Sequence, residues 1–315
     1  MQYGFGVDLG GTTVKIAWFD QTGTMLSKWE IPTVTENNGK QILPDIADAI
    51  HSFLAENKIS KEQVIGIGIG VPGPVFPDGT VNQCINLGWG VFNIQKELEA
   101  LTGLPVKAGN DATVAALGEC WKGGGAGCDN MVFATLGTGV GGGIVVGGKA
   151  IYGVHGAGGE IGHMVLNREE TESCNCGKCG CVEQYCSATG IVRLAKKHLA
   201  ETDTLSSLAA VENLTCKDVF DAGKDQDPAA LEILEQVYAY LGEFLANVCC
   251  VVDPQVVVLG GGVSKAGQPL LEGVRRYYQK YAFHGTRQVQ FALATLGNDA
   301  GACGAFKLAL DEFGG

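Results

Sequence analysis

Hydrophobic residues recur along the chain in short runs that are separated by glycine-rich turns. The runs Tyr3–Asp8 and Val14–Phe19 flank the turn LGGTT, which predicts a β-hairpin. A second unit of the same plan joins Met131–Leu136 to Ile144–Val146 through the turn GTGVGGG. Because both units consist of a strand, a glycine turn with threonine and a second strand, we infer an internal duplication.

The spacing of the other apolar positions predicts further strands and helices. The strands are Val64–Val71, Leu104–Ala108, Val256–Leu259 and Val289–Thr295. The helices are approximately Pro44–Asn57, Asn93–Leu101, 109–121, Tyr185–Leu199, Ala229–Val252 and Gly301–Phe313. In the strand VIGIGIGV, three glycines share one face, which must meet another backbone closely. The whole pattern is that of an α/β protein.

Composition limits the class of protein. The 315 residues suffice for two domains, and 46% of them are hydrophobic. The net charge of −12 disfavours nucleic acid as a partner. The sequence shows neither a signal peptide nor an apolar run that could cross a membrane. We therefore expect a cytoplasmic protein in a reducing compartment, without a membrane partner.

A cysteine cluster suggests a metal site. Four cysteines fall within eight residues: Cys174, Cys176, Cys179 and Cys181. His163 lies eleven residues before the first of them. Thiolates and imidazole suit tetrahedral zinc, and a site with four protein ligands is structural. Gly177 and Gly180 would let the short loop bring its sulfurs together. Disulfides or inert thiols are the alternatives, and the spacing does not show which cysteine is spare.

The glycine turns suggest phosphate binding. Successive backbone N–H groups in DLGGTT form a nest for phosphate oxygens, although a plain tight turn explains the sequence equally well. Asp8 can accept bonds from metal-bound water, and Lys15 adds a positive charge nearby. Together with GTGVGGG and the third loop, 260–262, the turns would enclose a nucleotide if they border one cleft.

Asn110 and Asp111 lie where a strand ends and a helix begins. Asp111 could simply cap that helix. It could instead be a general base at the carboxyl end of a strand, where α/β sheets place ligands. The local sequence favours neither role over the other.

The motif G-E-x-G-H followed by C-x-C-G-x-x-G-C-x-E resembles the signature of the ROK family of sugar kinases and related repressors. The resemblance implies that His163, Cys174, Cys176 and Cys181 bind zinc and that Cys179 is spare. It also implies that Glu160, His163 and Glu183 bind sugar hydroxyls. His163 would direct one ring nitrogen to zinc and the other to the sugar.

The two hairpins resemble those of the actin-like ATPase fold, a duplicated ribonuclease-H-like fold. The resemblance implies a smaller domain, 1–113, completed by helix 301–315, and a larger domain, 114–300, with the zinc loop and a dimerisation surface. ATP would be bound with Mg²⁺. The residues expected to bind it are Asp8, Gly10, Gly11, Thr12, Thr13, Lys15, Gly137, Thr138, Gly139, Gly261 and Gly262.

The resemblance also implies an activity. Asp111 matches the family's catalytic aspartate in the motif G-N-D, and Asn110 would lie beside it on the sugar. Similarity to bacterial glucokinases of this family, including AGGEIGHM, favours phosphorylation of glucose at its 6-hydroxyl by a homodimer. Mannose, fructose, N-acetylglucosamine and N-acetylmannosamine are alternative substrates.

Two non-enzymatic classes are also considered. Repressors of the family carry a helix-turn-helix before the first hairpin, and here only seven residues precede Asp8. An ATP-dependent chaperone or filament scaffold would need neither the zinc loop nor the paired glutamates. We therefore expect a kinase.

Overall fold

The computed structural model describes residues 2–315, and this part of the chain contains twelve strands and ten α-helices. The strands are β1 (Tyr3–Leu9), β2 (Thr13–Asp20), β3 (Met25–Pro32), β4 (Val64–Val71), β5 (Thr80–Cys84), β6 (Trp89–Asn93), β7 (Val106–Asn110), β8 (Met131–Leu136), β9 (Val140–Val146), β10 (Lys149–Ala150), β11 (Val256–Gly260) and β12 (Gln290–Leu293). The helices are α1 (Glu36–Gly39), α2 (Ile42–Glu56), α3 (Ile94–Thr102), α4 (Asp111–Lys122), α5 (Glu183–Cys186), α6 (Ala188–Glu201), α7 (Cys216–Lys224), α8 (Pro228–Val252), α9 (Gln268–Tyr281) and α10 (Ala300–Phe313).

Two five-stranded sheets have equivalent strand orders. The first is β3-β2-β1-β4-β7, in which β1–β2 and β2–β3 are antiparallel while β1–β4 and β4–β7 are parallel. The second is β10-β9-β8-β11-β12, in which β8–β11 and β11–β12 are parallel. The repetition confirms the predicted duplicated α/β fold and the first glycine-turned hairpin, β1–β2.

The chain forms two compact units. Unit 1 comprises the residues up to Asp129, Gly143–Gly159 and Thr295–Gly315, and unit 2 comprises Asn130–Gly142 and Glu160–Ala294. The boundary predicted after residue 113 falls inside α4, whereas the whole of α4 lies in unit 1. Helix α4 belongs to unit 1 because it packs closely on α10, which lies in the same unit.

The glycines of β4 pack against α10 as the sequence predicts. A Cβ atom added to Gly68 would lie 1.6 Å from the carbonyl oxygen of Ala305, so only glycine allows this approach of strand and helix. Where α10 meets α4, a Cβ atom on Gly304 would lie 1.6 Å from the carbonyl oxygen of Val114. These contacts seat α10 on the sheet and on α4 within unit 1.

Unit 2 contains strands β8, β11 and β12 together with helices α5 to α9. The apolar stripe predicted on the long helix is buried in α8: Leu234, Val237, Tyr238, Leu241, Leu245 and Val248. The single helix predicted over Tyr185–Leu199 was wrong, because α5 and α6 are separated at Ser187. The Ser187 hydroxyl accepts a hydrogen bond from the Gly190 N–H at 2.9 Å and thereby caps α6.

Helices α7 and α9 were not predicted. Among the described residues, no helix is both long enough and apolar enough to cross a bilayer.

Candidate functional site

The first glycine turn, between β1 and β2 in unit 1, presents two backbone N–H groups. The Gly10 N–H donates to the Thr13 carbonyl at 3.0 Å, and this bond closes the turn. The hydroxyl of Thr33 donates to the Gly10 carbonyl at 2.8 Å and holds it from outside. Gly11 and Thr12 are exposed, and within residues 2–315 no acceptor is assigned to either N–H. The turn therefore offers the donors that a phosphate requires.

Asp8 and Lys15 flank this turn. The Lys15 Nζ lies 3.8 Å from Asp8 Oδ2 and 3.4 Å from the Asn298 carbonyl oxygen. A Cβ atom at Gly301 would lie 2.5 Å from the Asp8 carboxyl carbon, so the start of α10 walls off the carboxylate. Burial raises the pKa of Asp8 above its ordinary value, and Lys15 opposes this rise.

The second glycine turn, between β8 and β9 in unit 2, has the same pattern of donors. The Gly137 N–H donates to the Gly139 carbonyl at 2.9 Å, while no acceptor is assigned to the N–H groups of Thr138 and Gly139 in the described chain. The start of α6 supports this turn, because Ala188 N–H donates to the Gly137 carbonyl and the Thr189 hydroxyl donates to the Thr138 carbonyl. Each unit thus carries one turn with two available donors.

The third glycine loop borders a largely apolar cavity in unit 2. Gly261 has a φ of +81°, and a Cβ atom there would lie 2.5 Å from the Leu136 carbonyl oxygen, so only glycine fits. Gly262 lines the neighbouring cavity of about 410 Å³, together with Ala188, Thr215, Cys216, Lys217, Phe220, Asp221, Lys224, Val263, Lys265 and Ala266. Its size and lining suit a planar heterocycle.

Helix α7 forms one wall of that cavity, and the sequence reasoning missed it. A signal was present, because Thr215 and Asp218 form a capping box at its start. Val219 and Phe220 follow as buried residues. This short motif would have predicted where α7 begins, but not the cavity that the helix borders.

Asn110 is the residue that caps helix α4, and the Asp111 carboxylate lies beside its side chain. Asn110 Oδ1 accepts from the Thr113 N–H at 3.1 Å, which is the cap of α4. The Asn110 side-chain amide donates to the Gly73 carbonyl at 3.1 Å and to Asp111 Oδ1 at 3.0 Å. The Ala112 N–H also donates to Asp111 Oδ1, at 2.7 Å. Asp111 is therefore oriented by its neighbours and is not the capping residue.

The four predicted zinc ligands come together in unit 2. The ligand atoms of His163, Cys174, Cys176 and Cys181 lie within 4.8 Å of one another. Cys176 Sγ is 3.6 Å from Cys181 Sγ, and His163 Nδ1 is 3.8 Å from Cys174 Sγ. Zinc–sulfur bonds of about 2.3 Å in a tetrahedron separate two sulfurs by about 3.8 Å, so these spacings suit zinc.

The loop geometry explains how the ligands meet. Gly177 and Gly180 have φ values of +85° and +77°, as the sequence predicts. At Gly180 a Cβ atom would lie 1.7 Å from the Asn167 carbonyl oxygen. Cys179 is outside the ligand group, and its Sγ lies 3.7 Å from the Thr171 carbonyl oxygen.

The protonation chemistry of the cysteines also fits a cation. Burial raises the pKa of the Cys181 thiol to about 12 and raises the pKa of Cys174 above its ordinary value. Buried thiols of this kind become thiolates when a metal supplies the compensating charge. Cys174 and Cys181 would therefore be deprotonated only with a bound cation beside them.

Two carboxylates adjoin the ligand group. Glu183 Oε1 lies 3.6 Å from Cys174 Sγ, while its Oε2 accepts a hydrogen bond from the Val140 N–H at 3.0 Å. Glu183 thus connects the cysteine loop to the second glycine turn. Glu160 Oε2 lies 3.9 Å from His163 Nε2, the ring nitrogen that faces away from the sulfurs. Glu160 and Glu183 therefore both lie beside the four clustered side chains.

Comparisons with known proteins cover almost the whole chain. The model of the ROK family matches residues 4–312. A glucokinase of Halalkalibacterium halodurans is 45% identical over 305 residues, which cover 95% of this chain and 92% of that protein. The crystal structure of the ROK hexokinase from Thermus thermophilus has a TM-score of 0.84 and 32% identity, and the match covers 99% of each chain. A ROK family glucokinase from Streptomyces griseus in complex with glucose and AMPPNP has a TM-score of 0.76 and 32% identity, covering 98% of this chain and 99% of that one.

Proposed function

Because the chain belongs to the ROK family, we propose that it is an ATP-dependent glucokinase that phosphorylates the 6-hydroxyl of glucose. The observation that carries this proposal is the similarity, over nearly the full length, to glucokinases from three bacteria. One related kinase was solved with glucose and AMPPNP. The arrangement of donors, carboxylates and cysteines within the two units supplies the groups that such a reaction requires.

The glycine turns are proposed to bind the triphosphate. Phosphoryl transfer depends mainly on positioning and on neutralisation of charge. The N–H groups of Gly11, Thr12, Thr138 and Gly139 would bind phosphate oxygens. Mg²⁺, when bound, would neutralise part of the negative charge of the triphosphate. Asp8 would accept hydrogen bonds from its water ligands, and the apolar cavity beside Gly262 would take the adenine.

The sugar is proposed to bind beside the cysteine loop. Glu160, His163 and Glu183 would accept or donate hydrogen bonds to its ring hydroxyls. Asp111 would take the proton from the attacking 6-hydroxyl. Asn110, which donates to Asp111, would hold this base in place in addition to the sugar contact expected of it.

Zinc is proposed as a structural ion. His163, Cys174, Cys176 and Cys181 would complete its coordination, so no ligand position remains for a reacting group. Zinc would then fix the ring of His163 through Nδ1 and leave Nε2 to meet the sugar.

Replacement of the proposed base tests the chemistry. Asp111→Asn should still bind glucose in a calorimetric titration, while kcat falls by about 10²–10⁴-fold because the proton acceptor is lost. Asp48→Asn, which changes an exposed aspartate of α2 in the same unit, is the control and should retain activity. Undiminished turnover by Asp111→Asn would assign the proton to another group.

The sugar specificity is tested with a coupled assay that reports kcat/KM for glucose, mannose, fructose, N-acetylglucosamine and N-acetylmannosamine. Glucose is expected to give the highest value. A higher value for a 2-acetamido sugar would move the assignment to an amino-sugar kinase. Failure to phosphorylate any hexose would refute the kinase proposal and favour a sugar-sensing role.

A homodimer is proposed as the active species. Val251 at the end of α8 and Phe283 after α9 are 85% and 55% exposed, and such apolar side chains of unit 2 would be covered in a dimer. Light scattering coupled to gel filtration would return a mass near twice that of the chain. A monomer that is fully active would contradict this part of the proposal.

A further inference from the structure

Arg193 on α6 binds the segment that leads into the cysteine loop. Its Nη2 donates to Glu170 Oε2 at 2.5 Å, and its Nε donates to Glu172 Oε2 at 2.8 Å. The Tyr185 hydroxyl donates to the same Glu170 oxygen at 2.6 Å. The Glu170 side chain is only 10% exposed and that of Arg193 is 29% exposed, so these charged hydrogen bonds are partly shielded from water.

The same guanidinium also contacts α5, the short helix that begins with Glu183. Arg193 Nη1 lies 3.4 Å from the Gln184 carbonyl oxygen, and the guanidinium carbon lies 5.6 Å from the centre of the Tyr185 ring. Gln184 in turn donates to the Glu172 carbonyl at 2.9 Å and accepts from the Cys181 N–H at 3.1 Å. Arg193 therefore joins the segment that precedes Cys174 to Gln184, the residue that follows Glu183.

The cysteine loop needs such an attachment. Between His163 and Glu183 the chain forms no helix and no strand longer than a single bridge. Its backbone hydrogen bonds, such as that from the Leu166 N–H to the Gly180 carbonyl, join residues of this segment to one another. A metal would bring four ligand atoms to one point, but a segment fixed at one point can still pivot about it. A second attachment at a distance along the loop removes that freedom.

We propose that Arg193 is a positioning residue that fixes the orientation of the cysteine loop and of Glu183 for sugar binding. This inference rests on the proposed glucokinase function. Arg193 touches neither the sugar-binding carboxylates nor the metal ligands with its charged group. It acts through Glu170, Glu172 and Gln184.

The test compares Arg193→Ala and Arg193→Lys with the wild type. Arg193→Ala should raise KM for glucose and the calorimetric Kd about tenfold while kcat and the zinc content stay close to wild type, because charged hydrogen bonds that orient the loop are lost. Arg193→Lys should give an intermediate KM, since one ammonium cannot replace a forked pair of donors. Arg276→Ala is the matched control, because Arg276 also pairs with a glutamate, Glu235, in unit 2 but lies away from the loop.

Chemical rescue adds a readout that general destabilisation would not give. Arg193 lines a polar cavity of about 290 Å³ together with Asn167, Glu170 and Tyr185, so removal of its side chain leaves room and acceptors for a small cation. Millimolar guanidinium should lower the raised KM of Arg193→Ala, whereas urea, a neutral molecule of similar shape, should not. The same additions should leave the KM of the wild type unchanged.

The inference would be overturned by an unchanged KM in Arg193→Ala, by an equal loss in Arg276→Ala, or by rescue with urea as well as guanidinium. If the wild-type protein bound glucose but phosphorylated no sugar, the proposed function would fail. The calorimetric Kd comparison would still decide the role of Arg193. The two failures are therefore distinguishable.

Discussion

Asp8 lies beside the first glycine turn, and its surroundings change the pH at which its carboxyl group ionises. The start of α10 removes water from its carboxylate, and Lys15 supplies a partly compensating charge at 3.8 Å. The net effect is a raised pKa, so protonation of Asp8 begins at a higher pH than for a solvated aspartate. The ionised form accepts hydrogen bonds on both oxygens and attracts a metal cation, so it is the form that we propose to bind metal-bound water.

Lys15→Met should therefore shift the acidic limb of the pH profile upwards. The substitution removes the charge that lowers the pKa of Asp8, so the carboxylate becomes protonated at a still higher pH. The measurement is the pH dependence of kcat/KM for MgATP, which reports the pKa values of ionising groups in the enzyme before it binds the nucleotide. Lys28→Met, which breaks an exposed ion pair with Asp299, is the control. An acidic limb that stays in place, or that moves to lower pH, would remove Asp8 from this role.

Residue types predicted the chemistry of the site better than the role of each residue. Cysteine and histidine spacing was enough to propose a zinc group, because few residue types bind that metal. The local sequence left Asp111 undecided between a helix cap and a general base, and Asn110 was not predicted to be the cap. The extended backbone of Asn110, with ψ of 145°, decides that it is the cap. Backbone conformation of this kind is not encoded in composition or spacing.

At the scale of elements, α10 is the helix that connects the C-terminus of the chain to the first sheet. It lies against β1 and β4 at glycines, where backbone meets backbone without intervening side chains. A Cβ atom on Gly6 would lie 1.9 Å from the Ala302 carbonyl oxygen, and one on Gly68 would lie 1.6 Å from that of Ala305. Since neither partner is a flexible side chain, a substitution requires the helix itself to move.

Gly68→Ala should thus destabilise the protein by about 3 kcal/mol, the upper end of the range for overpacked cores. Urea denaturation monitored by tryptophan fluorescence measures the free energy of unfolding. Gly90→Ala is a matched control within unit 1, since a Cβ atom there meets nothing within 4 Å, and it should change the stability by less than about 0.5 kcal/mol. Equal stability of the two variants would show that α10 adjusts at little cost.

Two strands that are buried along their length were predicted with their observed bounds, whereas some segments with an exposed face were missed. The strand Val64–Val71 and the strand Met131–Leu136 have the bounds predicted from their apolar runs. Strand β3 was missed although its residues alternate between half-buried and exposed positions, a pattern that is typical of a strand with one exposed face. Helix α9 was missed because its polar residues outnumber the apolar ones that it buries. For such a helix tertiary packing, rather than the local pattern, selects the structure.

At the scale of the whole molecule, two similar glycine turns were enough to predict that the fold contains a duplicated unit. The third antiparallel strand of each sheet, β3 and β10, was not predicted, because neither has a marked apolar run. The division into compact units also depends on long-range packing, since unit 1 takes in two segments that are distant along the chain, 143–159 and 295–315. Contacts of this kind lie beyond any window of local sequence.

The cysteine loop of unit 2 is proposed to hold a zinc ion, and loss of that ion should affect the whole molecule. Metal analysis should find about one zinc per chain, by the count of four ligands. Cys181→Ala removes a buried ligand whose Sγ lies 3.6 Å from that of Cys176, and should lose zinc, lower the melting temperature and raise KM for glucose, since metal binding contributes to folding. Cys179→Ala is the matched control in the same loop, because Cys179 lies outside the ligand group, and it should retain zinc, stability and KM. An active wild-type protein without metal, or equal effects of the two substitutions, would mean that hydrogen bonds alone hold the loop and that the four clustered side chains have no common ion.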